Sequence, residues 1–114
     1  MADSELVPGT LDLLILKTIS LEPMHGWGIA QRIGQLSRDR FRVNQGSLYP
    51  ALQRLLRRGL IEARWRVTAH GRRARFYAPT ADGVAELEQA RREWERSTAA
   101  VGWVLDATLS QVQP

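Results

Sequence analysis

The sequence contains no cysteine, and this absence excludes disulfide bonds and thiolate metal sites from its 114 residues. It also contains no apolar run near the roughly 18 residues that a membrane span needs. Residues 1–5 are polar and acidic, unlike the positively charged start of a signal peptide. We therefore expect a single soluble domain located in the cytoplasm, without a membrane partner.

Groups that catalyse reactions or bind metal ions are also scarce. The two histidines, His25 and His70, lie far apart, and neither has a carboxylate or a second histidine at ligand spacing. No serine stands in an arrangement that would activate it. The segment 26–28 lacks both the preceding strand and the third glycine of a dinucleotide fingerprint. The sequence predicts no enzyme, no metal site and no cofactor.

The positive charge is almost entirely arginine, with Lys17 as the single lysine. Eleven arginines fall between residues 38 and 75 with only two acids, while the other five basic residues are accompanied by ten acids. A basic middle between acidic ends favours one face built for a polyanion. The arginines of this stretch are Arg38, Arg40, Arg42, Arg54, Arg57, Arg58, Arg64, Arg66, Arg72, Arg73 and Arg75.

Apolar residues at helical spacing predict two helices at the start of the chain. The first has Thr10 as its N-cap and ends at residues 22–23. It is apolar on more than one side, which suggests that a partner chain covers it. The second helix runs from about His25 to Ser37, and residues 40–43 are predicted to form a short strand.

A third helix is predicted after the capping segment 44–47, with Gly59 at its C-terminal end. Pro50 is expected near the first turn, where proline is tolerated. One apolar stripe faces the core at i, i+4, i+7 and i+8 spacing. Its members are Leu48, Leu52, Leu55 and Leu56.

Two strands over residues 60–67 and 75–78 are predicted to form a hairpin around a basic turn, followed by a helix to about Leu109. This order describes a mainly α fold with a small β-hairpin. We expect a winged helix-turn-helix DNA-binding domain over residues 1–80 and a long C-terminal dimerisation helix over residues 81–114, packed as one compact unit.

The outward side of the third helix has the chemistry of a recognition helix, whose N-terminal turn would enter the major groove of double-stranded DNA. Gln53 and Arg54 suit adenine and guanine edges, respectively. Ser47 and Tyr49 would hold phosphates together with the helix N-terminus. The predicted DNA-binding residues of this helix are Ser47, Tyr49, Gln53, Arg54 and Arg57.

The hairpin turn is the second predicted DNA contact. Arg72 and Arg73 follow a flexible Gly71, so the turn can lie along the backbone or reach into the minor groove. The alternative is a solvated hairpin whose charges prevent edge pairing. Its position just after a basic helix favours the DNA contact.

The last helix carries a heptad seam that is interrupted by Arg91 and by threonines. Its members are Val84, Leu87, Arg91, Trp94, Thr98, Val101, Leu105 and Thr108. So small a domain cannot bury a helix of this length, so we expect it to pack against its counterpart in a second subunit and against the first helix. The resulting two-fold axis would match a pseudo-palindromic operator. The candidate residues for the dimer contact or an effector site are Leu14, Val84, Leu87, Trp94, Val101, Trp103 and Leu105.

The chain resembles the PadR family of transcriptional regulators in five segments that occur in order between residues 6 and about 83. They are Leu6–Leu16, His25–Ile29, Gly46–Leu52 with Leu55, Gly59–Ile61, and Gly71–Arg72 through Phe76–Tyr77. The resemblance implies a dimeric winged-helix regulator, usually a repressor, of the shorter type with one C-terminal helix. It also places His25 at the family's turn before the second helix, within reach of phosphate. The wing lacks the proline that many members have after Gly-Arg.

The tryptophans admit two interpretations each. Trp94 and Trp103 could line a pore between subunits that binds a small aromatic or apolar effector, as in some similar regulators. The alternative is that Trp94 is a seam residue and that Trp103 packs on the first helix or on the N-terminal segment, and it is favoured because buried tryptophan more often belongs to a core than to a ligand site. Trp27 is expected to cover its turn, although its indole N–H could reach a phosphate, and Trp65 is expected to pack within the wing rather than contact DNA.

We therefore predict a sequence-specific DNA-binding transcriptional regulator, a homodimeric repressor that a small molecule could release. The chief alternative is a winged-helix interaction module whose basic face binds an acidic protein partner. RNA binding has less support, because the chain shows no stacking platform of exposed aromatic residues.

Overall fold

A computed structural model describes residues 9–112, which form four α-helices and one antiparallel hairpin. Residues 6–8 of the family resemblance lie outside this range. The elements are α1 (Thr10–Leu21), α2 (Gly26–Leu36), α3 (Gln45–Arg57), β1 (Ile61–Val67), β2 (Arg73–Pro79) and α4 (Ala81–Leu105). This order confirms the predicted mainly α fold with a small β-hairpin and a long C-terminal helix.

One apolar core lies between α1, α2, α3 and the base of the hairpin. The predicted stripe of α3 contributes Leu48, Leu52 and Leu55, which are fully buried, while Leu56 packs at the edge of the core. The fully buried leucine and isoleucine side chains hold the three helices together, and truncating any of them would leave a destabilising cavity. The buried apolar residues are Leu11, Ile15, Leu16, Ile19, Ile29, Ile33, Leu48, Ala51, Leu52, Leu55, Leu60, Ile61 and Tyr77.

The start of α1 differs from the prediction that Thr10 is its N-cap. The N-cap is Gly9, which has a φ of 89° and no side-chain capping bond, so Thr10 is already the first helical residue. The left-handed backbone at this position explains why glycine stands there. The predicted end of the helix is confirmed, because Glu22 is the C-cap.

The predicted strand at residues 40–43 is wrong. Residues 41–44 are irregular, after a turn in which Arg38 and Asp39 have φ values of 56° and 64°. The free edge of β2 is bridged by Met24, which exchanges two backbone hydrogen bonds with Tyr77 at 3.2 and 2.8 Å.

Helix α3 is capped at both ends by local hydrogen bonds. Asn44 Oδ1 accepts a hydrogen bond from the Ser47 backbone N–H at 2.9 Å. At the other end, Gly59 (φ 71°) donates to the Leu56 carbonyl and Leu60 donates to the Leu55 carbonyl, each at 3.0 Å. This pair of bonds is a Schellman motif, which stops the helix and turns the chain into β1.

Pro50 lies deeper in α3 than predicted. It is the sixth helical residue after the Asn44 cap, in the second turn rather than the first. Having no N–H, it cannot donate to the Gly46 carbonyl. The first turn of α3 therefore relies on the Asn44 cap and on the bond from the Leu48 N–H to the Asn44 carbonyl at 3.0 Å.

The hairpin, which we call the wing, pairs β1 and β2 from Ile61↔Pro79 to Val67↔Arg73. The second strand is longer than predicted and begins at Arg73 rather than Arg75. The turn closes with hydrogen bonds from the Thr68 N–H to the Arg72 carbonyl (2.7 Å) and from the Gly71 N–H to the Thr68 carbonyl (3.0 Å). Gly71 has a φ of 79°, a conformation that glycine adopts without strain.

Helix α4 begins where predicted but ends earlier. Thr80 Oγ1 accepts from the Gly83 N–H at 3.1 Å and donates to the Gly59 carbonyl at 2.7 Å, so one hydroxyl joins the start of α4 to the end of α3. The helix ends at Leu105, not near Leu109, where a short 3-10 helix (Leu109–Val112) begins instead. Within residues 9–112 no helix combines the length and apolarity needed to cross a membrane.

The molecule is elongated because α4 extends beyond the core. Its radius of gyration is 17.1 Å, against about 13 Å for a compact domain of this length. The extents along the principal axes are 66, 31 and 21 Å. The outer part of α4 lies in solvent, with Val101 56% and Trp103 73% exposed. Trp103 therefore does not pack on α1, and the other predicted position, against the N-terminal segment, lies outside the described residues.

Candidate nucleic-acid interface

The predicted base-reading side of α3 is exposed along its length. Gln53 and Arg57 lie roughly opposite the buried Leu48 and Leu55 on the helix circumference, and both are exposed. Neither has an ion pair or a side-chain hydrogen bond within the described chain. These two side chains are therefore available to a molecule that approaches the middle of the helix face.

Arg54 lies on one flank of this face and already has a partner. Its Nη2 is 3.0 Å from Asp12 Oδ1 on α1, in an ion pair between residues 42 positions apart in the chain. Both side chains keep partial contact with water. For Arg54 to read a base, as predicted, its guanidinium must therefore either break the ion pair with Asp12 or contact the base while keeping it.

Tyr49 lies on the opposite flank of α3, against the start of α2. Its hydroxyl packs so closely on Gly26 that a Cβ there would lie 2.7 Å from the Tyr49 oxygen. Gly26 thus leaves room for the Tyr49 ring between α2 and α3, and a side chain there would require Tyr49 to shift, a role that the sequence did not reveal. Ser47, half-buried in the first turn, donates its backbone N–H to Asn44.

A groove of about 800 Å³ separates the start of α3 from the wing. It brings together four predicted DNA-binding residues: Tyr49, His25, Arg72 and Arg73. Among the described residues that line this groove, none carries a carboxylate, so its charge is uniformly positive or neutral. The lining residues are His25, Gly26, Trp27, Tyr49, Thr68, Ala69, His70, Arg72, Arg73, Ala74, Arg75 and Tyr77.

His25 has a structural role at this groove. Its Nδ1 accepts a hydrogen bond from the Gly28 N–H at 3.0 Å and so caps α2. The neutral ring therefore carries its proton on Nε2, the nitrogen free for an outside acceptor. Its ring is packed edge-on to Phe76, with the centroids 5.4 Å apart.

Trp27 covers its turn only in part. It is 60% exposed at the rim of the groove and stacks on His25 with a centroid distance of 6.2 Å. An indole left this open on a monomer is available to a ligand or partner, although single exposed apolar residues are common on protein surfaces.

The sequence prediction did not include Arg75 and Tyr77, which also line the groove. Tyr77 is buried, and its burial raises the pKa of its hydroxyl above the usual value of 10.0. The positive charge of Arg75 opposes that rise, and Tyr49 adds to it. The sequence held a signal for both residues: side chains alternate between the two faces of a strand, so residues 75 and 77 share a face with the predicted contact at residue 73.

Three of the predicted dimer or effector residues come together between α1 and α4. Leu14, Leu87 and Trp94 line a mostly apolar groove of about 570 Å³, with Phe41 at its wall and Lys17 and Arg91 at its edge. The remaining candidates, Val84, Val101, Trp103 and Leu105, lie exposed along α4 outside this groove. Among residues 9–112 no cluster of three metal-ligating side chains occurs.

Three packed helices, a β-hairpin wing and a carboxylate-free groove between them define a winged helix-turn-helix protein. The chain belongs to the PadR-like family of transcriptional regulators, whose family model matches residues 15–89. The family resemblance seen in the sequence is thereby confirmed. It is a family of DNA-binding regulators and not of enzymes.

Individual relatives agree with this assignment. The transcriptional regulator Rv3488 of Mycobacterium tuberculosis is 40% identical over 83 residues, covering 73% of this chain and 74% of the relative. A PadR-like transcriptional regulator of Bacillus cereus superposes with a TM-score of 0.78 at 27% identity, covering 92% of this chain and 100% of the other. A PadR family regulator of Clostridium difficile gives a TM-score of 0.73 at 26% identity, with 85% and 99% covered.

Proposed function

We propose that the protein is a sequence-specific repressor that binds double-stranded DNA as a homodimer in the cytoplasm. The observation that carries the proposal is the carboxylate-free groove between α3 and the wing, flanked by the open face of α3. Gln53 and Arg57 point from that face toward base edges, and Arg54 joins them once it extends past Asp12. Ser47, Tyr49, His25, Arg72 and Arg73 hold the sugar-phosphate backbone on either side.

The dimer in this proposal forms through α1 and α4. The exposed apolar residues of α4 and the groove containing Leu14, Leu87 and Trp94 give both helices surface that a second copy would cover. A two-fold axis then sets two copies of α3 one DNA turn apart, about 34–36 Å, on a pseudo-palindromic operator. The helical part of residues 1–80 and the hairpin bind DNA, while residues 81–114 supply most of the dimer contact.

Release by a small molecule follows from the same arrangement. The α1–α4 groove is lined mostly by apolar groups and includes an indole, which suits a flat aromatic or apolar effector. Such a ligand changes DNA affinity only if its own affinity differs between two conformations of the dimer: one whose α3 spacing fits DNA, and one whose spacing does not.

Fluorescence anisotropy tests the proposal directly. The purified protein is titrated onto a duplex from its own upstream region and onto a scrambled duplex of the same composition, at two salt concentrations. We expect tight selective binding with a steep salt slope and two chains per site. Equal, weak binding that salt abolishes on both duplexes would contradict sequence-specific repression at this site and would favour an acidic protein as partner.

A further inference from the structure

The two faces of the wing carry different arginines. In the register of the hairpin, Trp65 lies opposite Arg75, and Val67 lies opposite Arg73, so these four side chains share one face. Arg66 lies opposite Ala74 and therefore belongs to the other face. Of these four side chains, Arg73 and Arg75 line the groove beside α3, whereas Arg66 on the other face lies outside it.

Aromatic rings hold both groove-side arginines along the strand. The Arg73 guanidinium carbon lies 5.1 Å from the centre of the Trp65 ring, and that of Arg75 lies 5.9 Å from the centre of Tyr77. Tyr77 is 4% exposed and bonded through its backbone to Met24, so it is a fixed support. Contacts of this kind restrict a long flexible side chain before any ligand arrives.

No acid neutralises these two charges within the described chain. Neither Arg73 nor Arg75 has an ion pair there, in contrast to Arg64 on the outer face, whose guanidinium is 3.5 Å from Glu62. Residues two apart on one face of a strand are separated by about 6.8 Å. That separation is comparable with the distance between neighbouring phosphates along one nucleic-acid strand.

We propose that Arg73 and Arg75 bind two successive phosphates of the DNA strand that lies in the groove, and that Trp65 and Tyr77 are positioning residues for them. The inference rests on the proposed DNA-binding function and makes it more specific: the wing reads the backbone with the inner face of β2. Arg72, located in the turn, then binds farther along the same backbone.

The salt dependence of binding tests the phosphate contact of Arg75 independently of sequence recognition. Each phosphate contact adds about 0.9 to the slope of log affinity against log salt concentration. We expect Arg75→Gln to lower the slope by about that amount, equally on the upstream and the scrambled duplex. When salt is raised from 50 to 200 mM, the factor by which affinity falls should be roughly threefold smaller for the variant than for the wild type.

Arg66→Gln is the matched control, since Arg66 lies on the same hairpin, has the same charge and packs at 4.5 Å from the Phe76 ring on the outer face. It should leave the slope unchanged. Equal slopes for Arg75→Gln and wild type, or an equal reduction in both variants, would overturn the inference. Absence of any salt-dependent binding by the wild type would instead overturn the proposed function.

A double-mutant cycle tests the positioning role of Trp65. We expect Trp65→Leu to weaken binding severalfold while Arg73 is present, and to have no further effect in Arg73→Gln protein, because the indole acts through the guanidinium. Trp65→Phe should restore binding, as it returns a ring. Additive effects of Trp65→Leu and Arg73→Gln would overturn the role, and circular dichroism of each variant checks that the fold is retained.

Discussion

Arg54 on α3 and Asp12 on α1 form an ion pair with 3.0 Å between Nη2 and Oδ1. The pair connects the proposed recognition helix to α1, one of the two helices proposed to form the dimer. It also places a carboxylate beside one of the predicted base-reading side chains. Because both groups remain partly in water, the pair contributes only roughly 0.2–1 kcal/mol to stability, and its larger effect is on where the Arg54 guanidinium lies.

Replacement of Asp12 should therefore strengthen DNA binding. We expect Asp12→Asn to raise affinity for any duplex severalfold, because it frees Arg54 and removes a negative charge near the interface. Stability should fall by about 1 kcal/mol or less, since Asp12 also favours the N-terminal end of α1. The measurement is anisotropy at low salt combined with chemical denaturation.

Glu86→Gln provides the control for Asp12→Asn. It removes the same charge from an exposed pair, in which Glu86 lies 3.5 Å from Arg58 at the far end of α3. An equal gain in DNA affinity in both variants would show that total charge, and not the release of Arg54, is responsible.

Gln53 and Arg72 should differ in what they contribute to binding. Gln53→Ala is expected to reduce discrimination between operator and altered operators by about 1–3 kcal/mol at the base it reads. Arg72→Ala should weaken binding to all duplexes alike and lower the salt slope by about 0.9. Competition anisotropy against a panel of single-base operator variants measures both effects. Identical profiles for the two variants would contradict this division between base reading and backbone contact.

Much of the fold follows from local pattern, and the sequence predicted it on that basis. The apolar stripe of α3, the Asn44 cap and Gly59 are local signals, because each depends only on neighbouring residues. Their spacing is therefore enough to place α3. The wing follows from strand composition around Gly71. Errors arose where contacts between distant segments decide the outcome: the bridge of Met24 to Tyr77 was not predicted, and the strand predicted at residues 40–43 does not form.

The candidate site is less accessible to sequence reasoning for the same reason. The Arg54–Asp12 pair and the contact of Tyr49 with Gly26 join segments that only tertiary packing brings together. The pairing of Arg73 with Trp65 depends on the register of the hairpin, which turn length determines. Local chemistry indicated which residues are basic and exposed, whereas packing decides where each one points.

Gly83 fixes how α4 leaves the wing. A Cβ at this position would overlap the Leu60 carbonyl oxygen, a backbone atom that cannot move aside easily. Gly83→Ala should therefore destabilise the protein by 1–3 kcal/mol or more, as overpacking does. Gly102→Ala on the same helix is the control, because no atom lies within 4 Å of its Cβ position and alanine favours the helix by up to about 1 kcal/mol. Equal loss of stability in both, measured by thermal unfolding, would contradict the steric explanation.

Substitutions on α4 can disrupt the proposed dimer without disturbing the fold of each subunit. Val101 lies on the heptad seam and is 56% exposed in the protomer, so Val101→Glu leaves the described core intact. In a dimer it would bury a carboxylate against apolar groups, and we expect the protein to become monomeric at micromolar concentration in sedimentation experiments. DNA affinity should fall with it, because one α3 alone loses the second half-site.

Ala99→Glu is the matched control for Val101→Glu. Ala99 is also exposed and lies two residues earlier on the same helix, off the seam. This variant should keep the dimer and its DNA affinity. If Val101→Glu and Ala99→Glu both remain dimeric, the partner does not cover the seam at Val101, and α4 must extend from the core for another reason.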